Sequence, residues 1–229
     1  MKTKLPGSWF FDLDGTLVDS LPGIESALRH AFQSAGRTIP ADRLREAIGP
    51  SIGVIAKHLA PELSPAQTAL VEAVYRQRYD ETAWQGTSLF PQVPEVLQRL
   101  ASEGRRLFVL TNKPRIPTAK ILAHLALAPF FEDVLTRDSQ APPFVDKAAM
   151  LRYLLQKHDI EPHDAVFVGD TDEDGAAAAA NAVRFVFVTY GYGRGSRTEP
   201  PTDRIDHFAT LLSFTHTPAV PQLRKSHTP

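Results

Sequence analysis

The chain has 229 residues, a formal net charge of -1 and no cysteine. Near-neutral charge excludes a general field for nucleic acid polymers or acidic membranes, and the lack of cysteine excludes disulfides and thiolate metal sites and fits a reducing compartment. The length allows one sizeable domain, or a core with a small insert.

In chain order, Met1-Lys2-Thr3-Lys4-Leu5-Pro6 carries lysines but no long apolar stretch after them. Neither a signal peptide nor a membrane span is expected, and the protein is expected in the cytoplasm. Trp9-Phe10-Phe11 reads as the end of a buried strand and runs into Asp12-Leu13-Asp14-Gly15-Thr16. Pro22 to Trp84 reads as helical throughout. Ile24, Ala27, Leu28, Ala31 and Phe32 recur at helical spacing, and a second helix runs from Asp42 through Leu44 and Ile48 to Gly49-Pro50. A third covers Ile52 to Leu59. Ser64-Pro65 caps a fourth, with Leu70, Val74 and Tyr79 along it.

From Phe90 the pattern alternates. Helices are expected over Val93 to Leu100, Ile116 to Leu125, Lys147 to His158 and Gly175 to Ala182. Strands are expected at Leu107 to Leu110, Asp133 to Leu135, Ala165 to Val168 and, as the last, Arg184 to Thr189. Such alternation predicts an α/β fold, a doubly wound parallel sheet interrupted by a small α-helical insert. The expected division is a core of residues 1–20 and 86–212, an insert of 21–85 and a poorly ordered tail of 213–229, rich in Pro, His, Ser and Thr.

The chemistry gathers at strand ends. Residues i and i+2 of an extended chain share a side, so Asp12 and Asp14 face one pocket if the strand continues through Asp14. Adjacent carboxylates repel; a hard cation such as Mg²⁺ offsets this, taking oxygen ligands from carboxylates and a substrate phosphate, and a carboxylate can itself become an aspartyl-phosphate. Thr111 ends a second strand, on the sheet edge where open α/β folds bind ligands. Lys147 opens a helix and offers an ammonium to offset phosphoryl charge, with Lys113 as its competitor. Gly169-Asp170-Thr171-Asp172-Glu173-Asp174-Gly175 repeats the strand–glycine–carboxylate design. A calcium loop starting at Asp170 needs a bidentate Glu at its twelfth position, where Asn181 stands.

Asp12-Leu13-Asp14-Gly15-Thr16 after an apolar strand resembles motif I of the haloacid dehalogenase superfamily of phosphatases. Thr111-Asn112-Lys113-Pro114 resembles motif II, Lys147 motif III and Asp170 with Asp174 motif IV. Many relatives carry Pro after the motif III lysine, whereas Ala148 follows Lys147, and Gln92 stands where relatives usually carry Gly. The resemblance implies Asp12 as nucleophile, Asp14 as general acid and base, and Lys147 as the third catalytic residue. It implies phosphate binding by Thr111, Asn112, Gly15 and Thr16, and Mg²⁺ held by Asp12, Asp14, Asp170 and Asp174. The helical insert resembles a C1 cap.

Leu89-Phe90-Pro91, Thr111-Asn112-Lys113-Pro114 and Thr189-Tyr190-Gly191-Tyr192-Gly193 further resemble the phosphoglycolate-phosphatase-like branch. The expectation is a Mg²⁺-dependent phosphatase of a small-molecule phosphate ester, monomer or homodimer, with no nucleic acid or membrane partner. Two alternatives stand beside it. One is a phosphomutase of the β-phosphoglucomutase type, which resembles this chain but uses a His shortly after motif I, where Leu21-Pro22-Gly23-Ile24 stands. The other is a non-catalytic binding protein. Arg29, Arg43, Arg45, Lys57 and His58 in the insert are candidates to contact the substrate, against the plainer reading of each as a solvated helix residue, and the loop Gly49-Pro50-Ser51 could reach the site.

Overall fold

The computed structural model describes residues 6–48, 52–193 and 203–213. Six parallel strands form one sheet: β1 (Ser8–Phe11), β4 (Arg106–Thr111), β5 (Asp133–Thr136), β6 (Ala165–Gly169), β7 (Arg184–Val188) and β8 (Asp203–Ile205). Their order is β5-β4-β1-β6-β7-β8. The chain therefore winds outward from β1 in both directions, and the switch point opens a crevice at the carboxyl ends of β1, β4 and β6.

Both faces of the sheet are covered, which is why its strands read as continuous apolar runs. Trp9 and Phe11 point into one core with Val109 and Val168, under α5 (Val93–Ser102) and α6 (Arg115–His124). Phe10 points to the other, with Phe108 and Phe167 under α7 (Lys147–Lys157) and α8 (Asp172–Ala180). On α7 the expected residues Met150, Leu151, Leu154 and Leu155 are buried.

Between β2 (Val18–Asp19) and β3 (Ser88–Leu89) lie α1 (Leu21–Ser34), α2 (Ala41–Ala47), α3 (Ile52–Leu59) and α4 (Pro65–Glu81). They enclose a third apolar cluster of Leu28, Phe32, Leu44, Ile55 and Val71. Ser64 closes a full capping box at the start of α4: its hydroxyl accepts from Gln67 N, and the Gln67 side chain accepts from Ser64 N. The strands β2 and β3 pair antiparallel, Val18 with Leu89 and Asp19 with Ser88, so the chain leaves and re-enters the core side by side.

Several expectations need correction. The strand Arg184 to Thr189 is not the last: β8 pairs with β7 beyond it. Three residues, Asp203-Arg204-Ile205, are too few and too polar for a strand signal, as suits a short sheet edge. Helix α8 starts at Asp172, before Gly175, because Thr171 caps it. Leu70 is exposed, and Val71 takes the buried position on α4. Gln92 adopts a left-handed backbone (φ 65°), which explains why relatives place Gly there. Gly49-Pro50-Ser51, the first five residues and the tail from 214 onward lie outside the described residues. Among the described residues, no helix is long and apolar enough to cross a membrane.

Candidate active site

The strand β1 ends at Phe11, and the chain turns at once. The Leu13 carbonyl accepts N–H groups from Thr16, Leu17 and Val18, while Gly15 N donates to Val18 O. Gly15 has φ +81°, and a Cβ there would overlap the Asp170 carboxylate. Strand geometry therefore does not persist through Asp14. The two aspartates have different partners: Asp12 meets Lys147, and Asp14 meets Lys113.

Asp12 goes inward. One oxygen from each of Asp12, Asp170 and Asp174 lies within 4.8 Å of the others, and all three residues are buried. Lys147 Nζ stands 2.5 Å from Asp174 Oδ1 and 3.1 Å from Asp12 Oδ1. Asp12 Oδ1 is buried and ion-paired with that ammonium. The Asp146 side chain, accepting from Ala149 N at 2.7 Å, starts α7 and so fixes Lys147 at its first position.

Neighbouring groups hold the other two carboxylates of the triad. Asp170 Oδ2 accepts from the backbone N–H of Tyr192 (2.7 Å) and Gly193 (3.1 Å), and its Oδ1 from the Thr16 hydroxyl (3.2 Å). Asp174 Oδ2 accepts from Thr171 N and Oγ1, in a capping box at the start of α8. Gly169 brings the chain this close, since a Cβ there would strike Asp174.

Three carboxylates around one ammonium leave surplus negative charge. Burial raises the Asp12 pKa to about 8; Lys147 opposes this, and Asp174, Asp170 and Asp14 add to it. Burial likewise raises Asp170, reinforced by Asp174 and opposed by the Tyr192 and Gly193 amides. Burial alone would lower the Lys147 pKa, but Asp12 and Asp174 outweigh it and raise it. A buried all-oxygen donor set with surplus negative charge fits a hard divalent cation.

Asp14 lies outside this triad. Its carboxylate receives Lys113 Nζ at 3.1 and 2.9 Å, and the same ammonium donates to Tyr79 Oη at 2.9 Å. Of the four residues expected at the metal, three converge with their side chains, and the fourth is held by a different lysine. Lys147, not Lys113, meets Asp12.

The expected phosphate-binding residues fall on the same sheet edge. Thr111 is buried at the end of β4, where its hydroxyl accepts from Lys113 N. Asn112 Nδ2 donates to Glu173 Oε2 at 2.9 Å. The Gly15 and Thr16 N–H groups are spent within their own turn, and the Thr16 hydroxyl on Asp170. In the insert, Arg29 and Arg45 both pair with the buried Glu25, while Arg43, Lys57 and His58 are exposed.

Two tyrosines have roles the sequence reading did not assign. Tyr79 was placed only on an apolar stripe, although a buried tyrosine hydroxyl normally demands a polar partner. Tyr192 carries more than its amide contact to Asp170: its hydroxyl donates to Asp19 and accepts from the N–H groups of Ser20 and Leu21, at the entry to the insert.

Comparison with known proteins agrees with this geometry. The family model for haloacid dehalogenase-like hydrolases matches residues 9–188. Phosphoglycolate phosphatase 1 of Pseudomonas aeruginosa is 34% identical over 220 residues, which cover 92% of this chain and 80% of that protein. The tyrosine-protein kinase PtkA of Mycobacterium tuberculosis is 33% identical over 217 residues, covering 94% of this chain and 70% of that one. A crystal structure from Haemophilus somnus, titled a predicted phosphoglycolate phosphatase, superposes with a TM-score of 0.80 at 27% identity, covering 90% of this chain and 96% of its own.

Proposed function

The chain belongs to the haloacid dehalogenase-like hydrolase family, and on that footing we propose that it is a Mg²⁺-dependent phosphatase of small phosphate monoesters, phosphoglycolate among them. The observation that carries the reading is the buried triad of Asp12, Asp170 and Asp174 around Lys147, with Asp14 held apart two residues on.

Asp12 acts as the nucleophile. Its carboxylate attacks phosphorus, the bond from phosphorus to the ester oxygen breaks, and an aspartyl-phosphate forms. Asp14 gives its proton to the departing alkoxide. It then takes one from the water that attacks the aspartyl-phosphate, which releases phosphate and restores Asp12. Lys147 offsets the charge collecting on the phosphoryl oxygens and favours an ionised Asp12. Thr111, at the end of β4, orients a phosphoryl oxygen through the turn it shares with Asn112 and Lys113. Asp12, Asp170 and Asp174 are the residues that would hold the cation. When bound, Mg²⁺ supplies the positive charge that neutralises the triad and draws a phosphate oxygen toward Asp12.

The insert encloses the crevice and selects the ester. The test is phosphate release from a panel of alkyl phosphates, phosphoglycolate, 5′-nucleotides and sugar phosphates, with and without Mg²⁺. Cation-dependent release from alkyl esters is expected. Product identification separates hydrolysis from return of the phosphoryl group to the sugar, the mutase outcome. It also separates hydrolysis from transfer to a protein tyrosine, the activity in the mycobacterial relative's name. Absence of phosphate release from every ester would remove the reading.

A further inference from the structure

Lys113 has no part in the chemistry described so far, yet it is buried. An ammonium has three N–H donors and no acceptor. Here they are matched by three oxygens: both oxygens of Asp14 and the hydroxyl of Tyr79. The ammonium also lies 4.4 Å from the centroid of the Tyr79 ring, within cation–π range. Asp14 follows β1 and Lys113 follows β4, both on the sheet edge, whereas Tyr79 comes from α4 in the insert. The Asp14 side chain keeps 22% of its surface exposed, so it borders the crevice while its back is held.

A carboxylate that must reach a leaving oxygen depends on its orientation, and misplacement by about 1 Å is costly in rate. Lys113 sets that orientation because it grips both oxygens. Lys113 is in turn fixed by its third contact, since a buried ammonium with one N–H unmatched would seek another acceptor. We propose that Tyr79 is a positioning residue: through Lys113 it holds the Asp14 carboxylate in register with the leaving group, so the insert completes the acid–base apparatus as well as covering the site. This rests on the phosphatase reading and deepens it. A tyrosine contributed by the insert makes the efficiency of proton transfer depend on where the insert sits.

The experiment uses two esters that differ in their need for a proton. The alkoxide of an alkyl phosphate needs one to depart, and p-nitrophenolate does not. For Tyr79→Phe, kcat/KM, which reports formation of the aspartyl-phosphate, should fall about tenfold on the best alkyl phosphate of the panel. On p-nitrophenyl phosphate it should change by about twofold or less. Lys113→Met should show the same selectivity with a larger loss, about a hundredfold on the alkyl ester, and it carries the test should Tyr79→Phe fail to fold. Tyr75→Phe, on the ring stacked against Tyr79, should leave the ratio of the two esters unchanged. Equal losses on both esters, for Tyr79→Phe or for Lys113→Met, overturn the inference while leaving the phosphatase reading intact. No turnover of either ester by the unaltered protein overturns both.

Discussion

Two lysine–carboxylate clusters flank the turn after β1, and they are built differently. Around Lys147 everything comes from the core: Asp12 and Asp174 meet the ammonium, and Asp170 lies within 4.8 Å of both carboxylates in a buried space with surplus negative charge. Around Lys113 a single carboxylate, Asp14, is partly exposed, and the third partner of the ammonium is Tyr79 from the helical insert. Two aspartates separated by one leucine thus enter opposite surroundings. One is a buried, charge-rich nest, which on the proposed reading holds the nucleophile and a cation. The other is a matched pair at the rim, to which the proposed reading gives the proton transfers. Environments that separate two like groups divide the labour between them.

The largest effect should come from the inner cluster. Asp12→Asn keeps the shape but removes the nucleophile, so phosphate release should fall by at least about a thousandfold while the far-ultraviolet circular dichroism stays the same. Release at the unaltered rate would move the nucleophile elsewhere. Next is Lys147→Met, which leaves three buried carboxylates without their ammonium. A loss of about 3 to 5 kcal/mol is expected by denaturant unfolding without divalent cation. Lys113→Met should cost less, because Asp14 can recover water. The reverse order would break the comparison.

A pH series without divalent cation sharpens it further. Asp12 ordinarily titrates at 3.8 and in the fold at about 8. Between these values the folded state holds a proton that the unfolded chain has released, so stability is full at the acid end and is lost as pH rises toward 8. The thermal midpoint should therefore fall over that window. Mg²⁺ should restore it most at the alkaline end, and a midpoint rising with pH would contradict the surplus charge. The smallest effect belongs to Thr171→Ala, which removes the cap holding Asp174. About 1 kcal/mol of stability should go, with weaker Mg²⁺ binding by calorimetry; unchanged affinity would show that Asp174 needs no such support.

Much of this was legible because strand ends announce themselves. Apolar runs stop abruptly at Asp12, Thr111 and Asp170, and parallel winding must bring those stops to one edge. Lys147 was legible only through resemblance, since a lysine at a helix start has no signature of its own. What stayed hidden depends on contacts between distant parts of the chain. Nothing local marks Tyr79 as the partner of Lys113, 34 positions away, or Tyr192 as the partner of Ser20 at 172. The separate partner of Asp14 was hidden for another reason: a two-residue period applies only while the strand lasts, and β1 stops at Phe11. The strand β8 escaped because three residues at an edge carry too little apolar pattern.

The two-stranded ribbon of β2 and β3 has a mechanical consequence. Both passages between core and helices are tied to each other by backbone hydrogen bonds, so the bundle hangs from a narrow strap and not from two independent cords. Motion of the bundle about that ribbon would shift Tyr79, on α4, against Lys113, which follows β4.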